Sequence, residues 1–274
     1  MNDKKRKTDL LLNMMLVLFI LIFLVAVAIL VRYYVNSMHQ KKMNREIIAL
    51  RQERLQEEIH EEGDNPAALG EEGVVEETAV YRETAEMLSQ INSDYVCFLT
   101  LDEEHMYPVV QRDNEYYLHT NFRLEKNSRG AIFLDENCTP QDQVYLLHGH
   151  HMKDGTMFGC LTDYMNSEYR ENHKTIYMDY GEGDIAYEIF AVGLFDLALE
   201  SHFHYYEIPD KGEVEDYIKK LCENSMWYGQ IQEKTNIQQY LEAENQSVPH
   251  IVLLSTCEYR GQDQRLVIAA VKRK

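Results

Sequence analysis

The chain has 274 residues, 45% of them hydrophobic, enough to bury a core in one or two domains. Its formal net charge of -19 argues against a nucleic-acid partner, because phosphate binding needs clustered Lys and Arg. Five cysteines (Cys97, Cys138, Cys160, Cys222 and Cys257) are odd in number, irregularly spaced and lack a C-x-x-C pair, which disfavours a zinc ribbon or a thioredoxin-like motif.

Leu10 to Val31 is an apolar run of 22 residues interrupted only by Asn13, long enough to span a bilayer as a helix. Lys4, Lys5, Arg6 and Lys7 precede it, so the positive-inside bias puts residues 1–9 in the cytoplasm and the rest outside. Ala26-Val27-Ala28 matches a signal-peptide cleavage pattern, but it lies within the apolar run, so an uncleaved single-pass anchor over 10–31 is expected. Residues 32–77 read as a helical stalk followed by a flexible acidic linker. From Glu53 to Glu86 there are 12 acidic residues against two basic ones, which marks a solvated segment rather than an acidic site.

A globular composition begins at about Thr78 and continues to Lys274. Apolar residues at Val80, Tyr81, Ala85, Leu88 and Ile91 predict an amphipathic helix over 78–92. Strands are then expected at Tyr95–Leu101, Met106–Gln111, Glu115–His119, Ala131–Leu134 and Gln143–His148. Lys174–Tyr180 and Ile185–Leu194 read as a pair joined by a Gly-rich turn, and His250–Thr256 and Arg265–Val271 as a final pair. Helical insertions are expected near Phe158–Glu168 and Val214–Cys222. Many short strands with irregular turns predict a mostly β, closed or nearly closed barrel decorated by helices.

Two strand ends carry chemistry. Ile251–Thr256 is a strand-like run that ends on Cys257 and is followed by loop residues, a placement that can hold a nucleophilic thiol rigidly. Val144–Leu147 runs into His148-Gly149-His150-His151. No matching cluster of acidic or Cys ligands accompanies these imidazoles, and H-E-x-x-H is absent, so no metal is expected. An imidazole paired with a thiol fits better, since it promotes thiolate and can protonate a leaving amine. Arg265 opens the last strand and would return beside Cys257 if the two strands pair, where a guanidinium can steady an oxyanion. Arg260 is nearer in sequence but lies in a loop.

These residues carry a resemblance. LLSTCEY with an Arg eight positions after the Cys resembles the T-L-x-T-C…R signature of sortases, and Leu147-His148-Gly149-His150 is similar to their histidine segment. Pro108–Gln111, Asn114–Leu118, Gly130–Asp135, Met157-Phe158-Gly159 and the long insertion before the Cys strand look like class B sortases, a match covering Thr78–Val271. His148 stands where that class often has tyrosine.

The resemblance implies a sortase-like closed β-barrel with helical insertions and an N-terminal helix. It implies a cofactor-free cysteine transpeptidase with Cys257 as nucleophile, His150 as proton donor and Arg265 on the substrate carbonyl. The expected partners are secreted proteins with a C-terminal sorting motif, cleaved after Thr, and a peptidoglycan precursor or cross-bridge amine. Asn114, Leu118, Ser255 and Thr256 are the expected substrate-groove residues. Papain-like enzymes place Cys before His, and L,D-transpeptidases place Gly before the Cys, where Thr256 stands here. A non-catalytic anchored binding module on the same barrel is the remaining alternative.

Overall fold

The computed structural model of the protein describes residues 2–61, 71–197, 203–210, 212–229, 249–257 and 263–273. The chain divides into two units, residues 1–43 and 44–274. Helix α1 spans Asn2–Glu61. In the first unit it presents the apolar side chains of Leu10–Val31 outward on all sides. At 1.5 Å per residue this run is about 33 Å long, matching a bilayer core. Among the described residues, α1 is the helix long and apolar enough to cross a membrane.

In the second unit the remainder of α1 is fastened by Ile47, which is fully buried, and by Arg51. The Arg51 guanidinium donates to Asp179 at 3.1 Å and to Asp184 at 2.7 Å and lies 4.7 Å from the centre of the Phe98 ring. Helix α2 (Glu71–Ile91) starts earlier than the expected 78, and residues 62–70 of the expected linker lie outside the described residues. Its buried face runs Val80, Thr84, Leu88 and on to Asn92, a four-residue spacing that keeps one stripe on the barrel.

The strands are β1 (Tyr95–Thr100), β2 (Met106–Gln111), β3 (Ile132–Leu134), β4 (Val144–Gly149), β5 (Thr175–Asp179), β6 (Asp184–Asp196), β7 (Trp227–Tyr228), β8 (Ile251–Cys257) and β9 (Gln264–Lys272). Eight of them form a ring in the order β5-β1-β2-β3-β4-β8-β9-β6, closed by the β5–β6 pairing. The long β6 makes closure possible. One edge pairs with β9, while the other pairs with β5 over its first half and with the short β7 further on. Closure leaves no open edge in the ring, which removes the main aggregation hazard of a sheet. The mostly β, closed-barrel expectation therefore holds, with β7 the one strand among the described residues that the sequence pattern did not reveal.

One expected strand is not a strand. Glu115–His119 contains a 3-10 turn at Tyr116–Leu118. The Asp113 carboxylate accepts from the backbone N–H groups of Glu115 at 3.1 Å and Tyr116 at 2.8 Å, so a local turn outcompetes a sheet ladder. Tyr117 then anchors the turn inward. It is fully buried, and its hydroxyl donates to Asp94 at 2.8 Å and accepts from Asn92 at 3.0 Å.

Helices cover the barrel. A 3-10 helix (Phe158–Met165) leads into α3 (Ser167–Asn172), whose start is capped by Asn166 accepting from the backbone of Glu168 and Tyr169. Helix α4 (Val214–Glu223) buries Val214, Tyr217, Ile218, Leu221 and Cys222, the spacing of a single helix face. Every residue of β8 from Ile251 to Thr256 is buried, as expected for a strand with a parallel neighbour and both faces covered. Truncating Leu253 or Leu254 to Ala is worth about 2–5 kcal/mol of lost transfer energy plus cavity.

Candidate active site

The site is assembled by two registers of β8. Its parallel pairing with β4 ends at Gly149↔Thr256, so His150 and Cys257 each lie one residue beyond the last shared rung of strands about 4.8 Å apart. Its antiparallel pairing with β9 sets Cys257 directly opposite Arg265. His150 thus meets two positions more than a hundred residues further along the chain at one end of the barrel, with Cys257 placed by its backbone register. Arg260, the other arginine considered, lies outside the described residues.

His150 is held from several sides. Its Nε2 lies 2.8 Å from the carbonyl oxygen of Leu118. A carbonyl only accepts, so Nε2 carries the proton and Nδ1 is the nitrogen left for proton exchange. The His150 carbonyl accepts from Phe158 N–H at 3.0 Å, and His151 bridges Met157, closing a tight hairpin over 151–157. Gly149 is required here. A Cβ on it would lie 2.5 Å from the Ile132 side chain and 2.7 Å from the Phe158 ring. The glycine lets that ring close over the strand end just before His150.

Arg265 is half-buried, and its Nη1 donates to the Gln264 carbonyl at 3.1 Å. Of the expected groove residues, Leu118 is half-buried and supplies the carbonyl under His150. Asn114 is tied to Asp135, donating from Nδ2 at 2.9 Å, while its Oδ1 accepts from Glu136 N–H at 2.9 Å. Ser255 is buried, and its hydroxyl shares a 2.9 Å hydrogen bond with Tyr205 of the insertion between β6 and α4. Thr256 is also buried, and its hydroxyl meets no partner among the described residues. Ser255 and Thr256 are thus both buried, on opposite faces of β8, whereas Leu118 touches His150 and Asn114 is held by Asp135.

Sequence reasoning missed an acid–imidazole network beside this site. The Asp135 carboxylate accepts from His148 Nε2 at 2.9 Å and from the backbone and side chain of Asn137. Burial alone would raise the Asp135 pKa, but these hydrogen bonds and the His148 charge outweigh it and hold the carboxyl at about 2. The available signals were the Asp that ends Gly130–Asp135 and the extra His two residues before His150. The remaining cysteines are poor nucleophiles. Burial pushes the thiols of Cys138 and Cys160 up to about 12, and that of Cys97 well above its ordinary value. Cys222 is buried in α4.

The chain is similar to known proteins in sequence and in fold. The sortase-domain family matches residues 104–273. The chain is 32% identical over 175 residues to Sortase B of Listeria monocytogenes, covering 62% of this chain and 65% of that protein. It is 31% identical over 193 residues to Sortase B of Staphylococcus aureus, covering 68% of this chain and 72% of that one. The matches thus span about two thirds of these relatives. The crystal structure of a mutant form of Clostridium perfringens sortase B superposes with a TM-score of 0.60 at 27% identity, covering 73% of this chain and 91% of that chain. The chain belongs to the sortase family, in its class B branch of cysteine transpeptidases.

Proposed function

We propose that this sortase cleaves a C-terminal sorting motif after Thr in secreted proteins and joins the new carboxyl end to a cell-wall amine, from a membrane anchor at residues 10–31 with the catalytic domain, 78–274, outside. The observation that carries the reading is the pair of β8 registers that sets Cys257 beside His150 on one flank and Arg265 on the other.

In this mechanism the Cys257 thiolate adds to the carbonyl carbon of the motif Thr. Arg265 donates to the oxygen as it gains charge. The C–N bond breaks, and the departing amine takes a proton from the Nδ1 side of the His150 imidazolium, leaving a thioester. The incoming amine attacks the thioester and loses its proton to His150, and the C–S bond breaks to regenerate the thiolate. Seating Nε2 on the Leu118 carbonyl keeps the working nitrogen oriented through both proton transfers. Asn114, Leu118, Ser255 and Thr256 contribute to the groove for the extended motif.

The test is to incubate the full chain in detergent micelles with peptides bearing varied sorting motifs and to read the intact mass. A mass gain equal to the peptide portion ending in Thr, discharged by added amine and absent in Cys257→Ala, is expected. Adduct formation by Cys257→Ala, or discharge only by water at every amine concentration, overturns the proposal.

A further inference from the structure

Arg129 sits in the connection between β2 and β3 and belongs to none of the motifs above. It is 1% exposed, an unusual depth for a guanidinium. Its Nη1 donates to the Asp154 carboxylate at 2.9 Å and to the Thr156 hydroxyl at 2.7 Å. Thr156 donates in turn to the same Asp154 oxygen at 2.7 Å. Both partners lie at the tip of the 151–157 hairpin that follows His150. The hairpin is built under constraint, with Met157 at φ 53° and its carbonyl accepting from the Tyr107 hydroxyl at 3.1 Å.

The next residue reaches the other half of the His150 seat. Gly130 has φ +60°, and a Cβ there would lie 2.1 Å from the Tyr117 carbonyl and 3.0 Å from that of Leu118. Ala131 N–H donates to the Tyr117 carbonyl at 3.0 Å. The 129–131 segment therefore backs the turn whose Leu118 carbonyl receives the imidazole, while its arginine grips the loop into which His150 leads.

From this we infer that Arg129 is a positioning residue for His150, holding the imidazole in the Nε2–H form against Leu118 so that Nδ1 faces the reacting thiol. A buried charge that joins two loops across the imidazole fixes their separation, and sub-ångström shifts at a proton donor matter in catalysis. The inference rests on the reading of His150 as the proton donor.

The test uses the full chain in detergent micelles with ¹³C,¹⁵N-labelled histidine. The variants are Arg129→Met, Arg129→Lys and Thr156→Val, with His150→Gln used to assign the resonance. The readouts are the tautomer and titration of the His150 ring by NMR and the pH dependence of Cys257 alkylation by iodoacetamide. Wild type is expected to show the Nε2–H tautomer. Arg129→Met is expected to give mixed tautomers, a titration moved by about half a pH unit or more and an alkylation profile moved with it. Arg129→Lys should recover part of each effect. Thr156→Val, at the hairpin tip, should shift them in the same sense and decides the matter should Arg129→Met not fold. An unchanged His150 ring in a folded Arg129→Met or in Thr156→Val overturns the inference. If His150→Gln leaves the alkylation profile of Cys257 untouched, the proton-donor reading fails instead, while the ring tautomer still reports on Arg129.

Discussion

At the scale of single residues, the cysteines separate by environment. The thiolate is the reactive form, and burial disfavours it at Cys97, Cys138 and Cys160. Brief maleimide treatment of the native protein at neutral pH is therefore expected to label Cys257 alone, and Cys257→Ala should take up none on that timescale; rapid labelling of a second site would contradict the assignment. Asp135 offers a pH test. Its folded pKa of about 2 lies below the ordinary carboxylate value, so its contribution is present above about pH 4 and is lost as pH falls toward 2. Asp135→Asn should cost about 1 kcal/mol at neutral pH, after allowance for solvent screening, and should flatten the acid limb of the stability curve. Urea melts of both proteins at stepped pH check this.

At the scale of elements, the fastening of α1 to the barrel depends on a buried charge. Arg51 is buried against Asp179, which is itself 2% exposed and also accepts from Gly181 N–H at 2.8 Å. Arg51→Leu keeps an apolar contact with Phe98 but strands a carboxylate, and a loss of about 3–5 kcal/mol is expected. Chemical denaturation reads it, and Arg51→Leu combined with Asp179→Asn should recover much of the loss, because the stranded charge is then gone. Most elements were legible because their patterns are strong. The short runs rich in Val, Tyr and Phe between turn residues at β1 and β2, the glycine turn between β5 and β6, and the apolar face of α4 each specify one conformation. Glu115–His119 was misread because its Tyr and Leu composition suits a strand, while Asp113 offered the backbone a nearer partner. The two residues of β7 carry no period at all, and they pair because the second half of β6 presents an edge at Ala191 and Val192.

At the scale of the whole molecule, the outward-facing apolar run of α1 makes a membrane prediction. The full chain should resist alkaline carbonate extraction from membranes, and deletion of residues 10–31 should release it to the soluble fraction; release of the full chain would remove the anchor. The closed ring has a kinetic counterpart. Its closure between β5 and β6 is local, but β4 pairs with β8 across more than a hundred residues, so the site forms only when the most distant of these strand pairings does.

The sequence by itself determined the apolar span, most of the strands, and the residue types that carry thiol chemistry with their His-before-Cys order. These are local properties, written in periodicity and in short motifs. Only the tertiary structure decided that Cys257 faces Arg265 across an antiparallel rung, that Gly149 and Thr256 end a parallel one together, and that Leu118 presents a carbonyl rather than a groove-lining strand to His150. It alone revealed Arg129, since nothing in the sequence near that residue announces a partner 25 positions away at the tip of another loop. The physical reason is that register and loop docking are set by long-range packing, in which each contact depends on which distant strand becomes the neighbour.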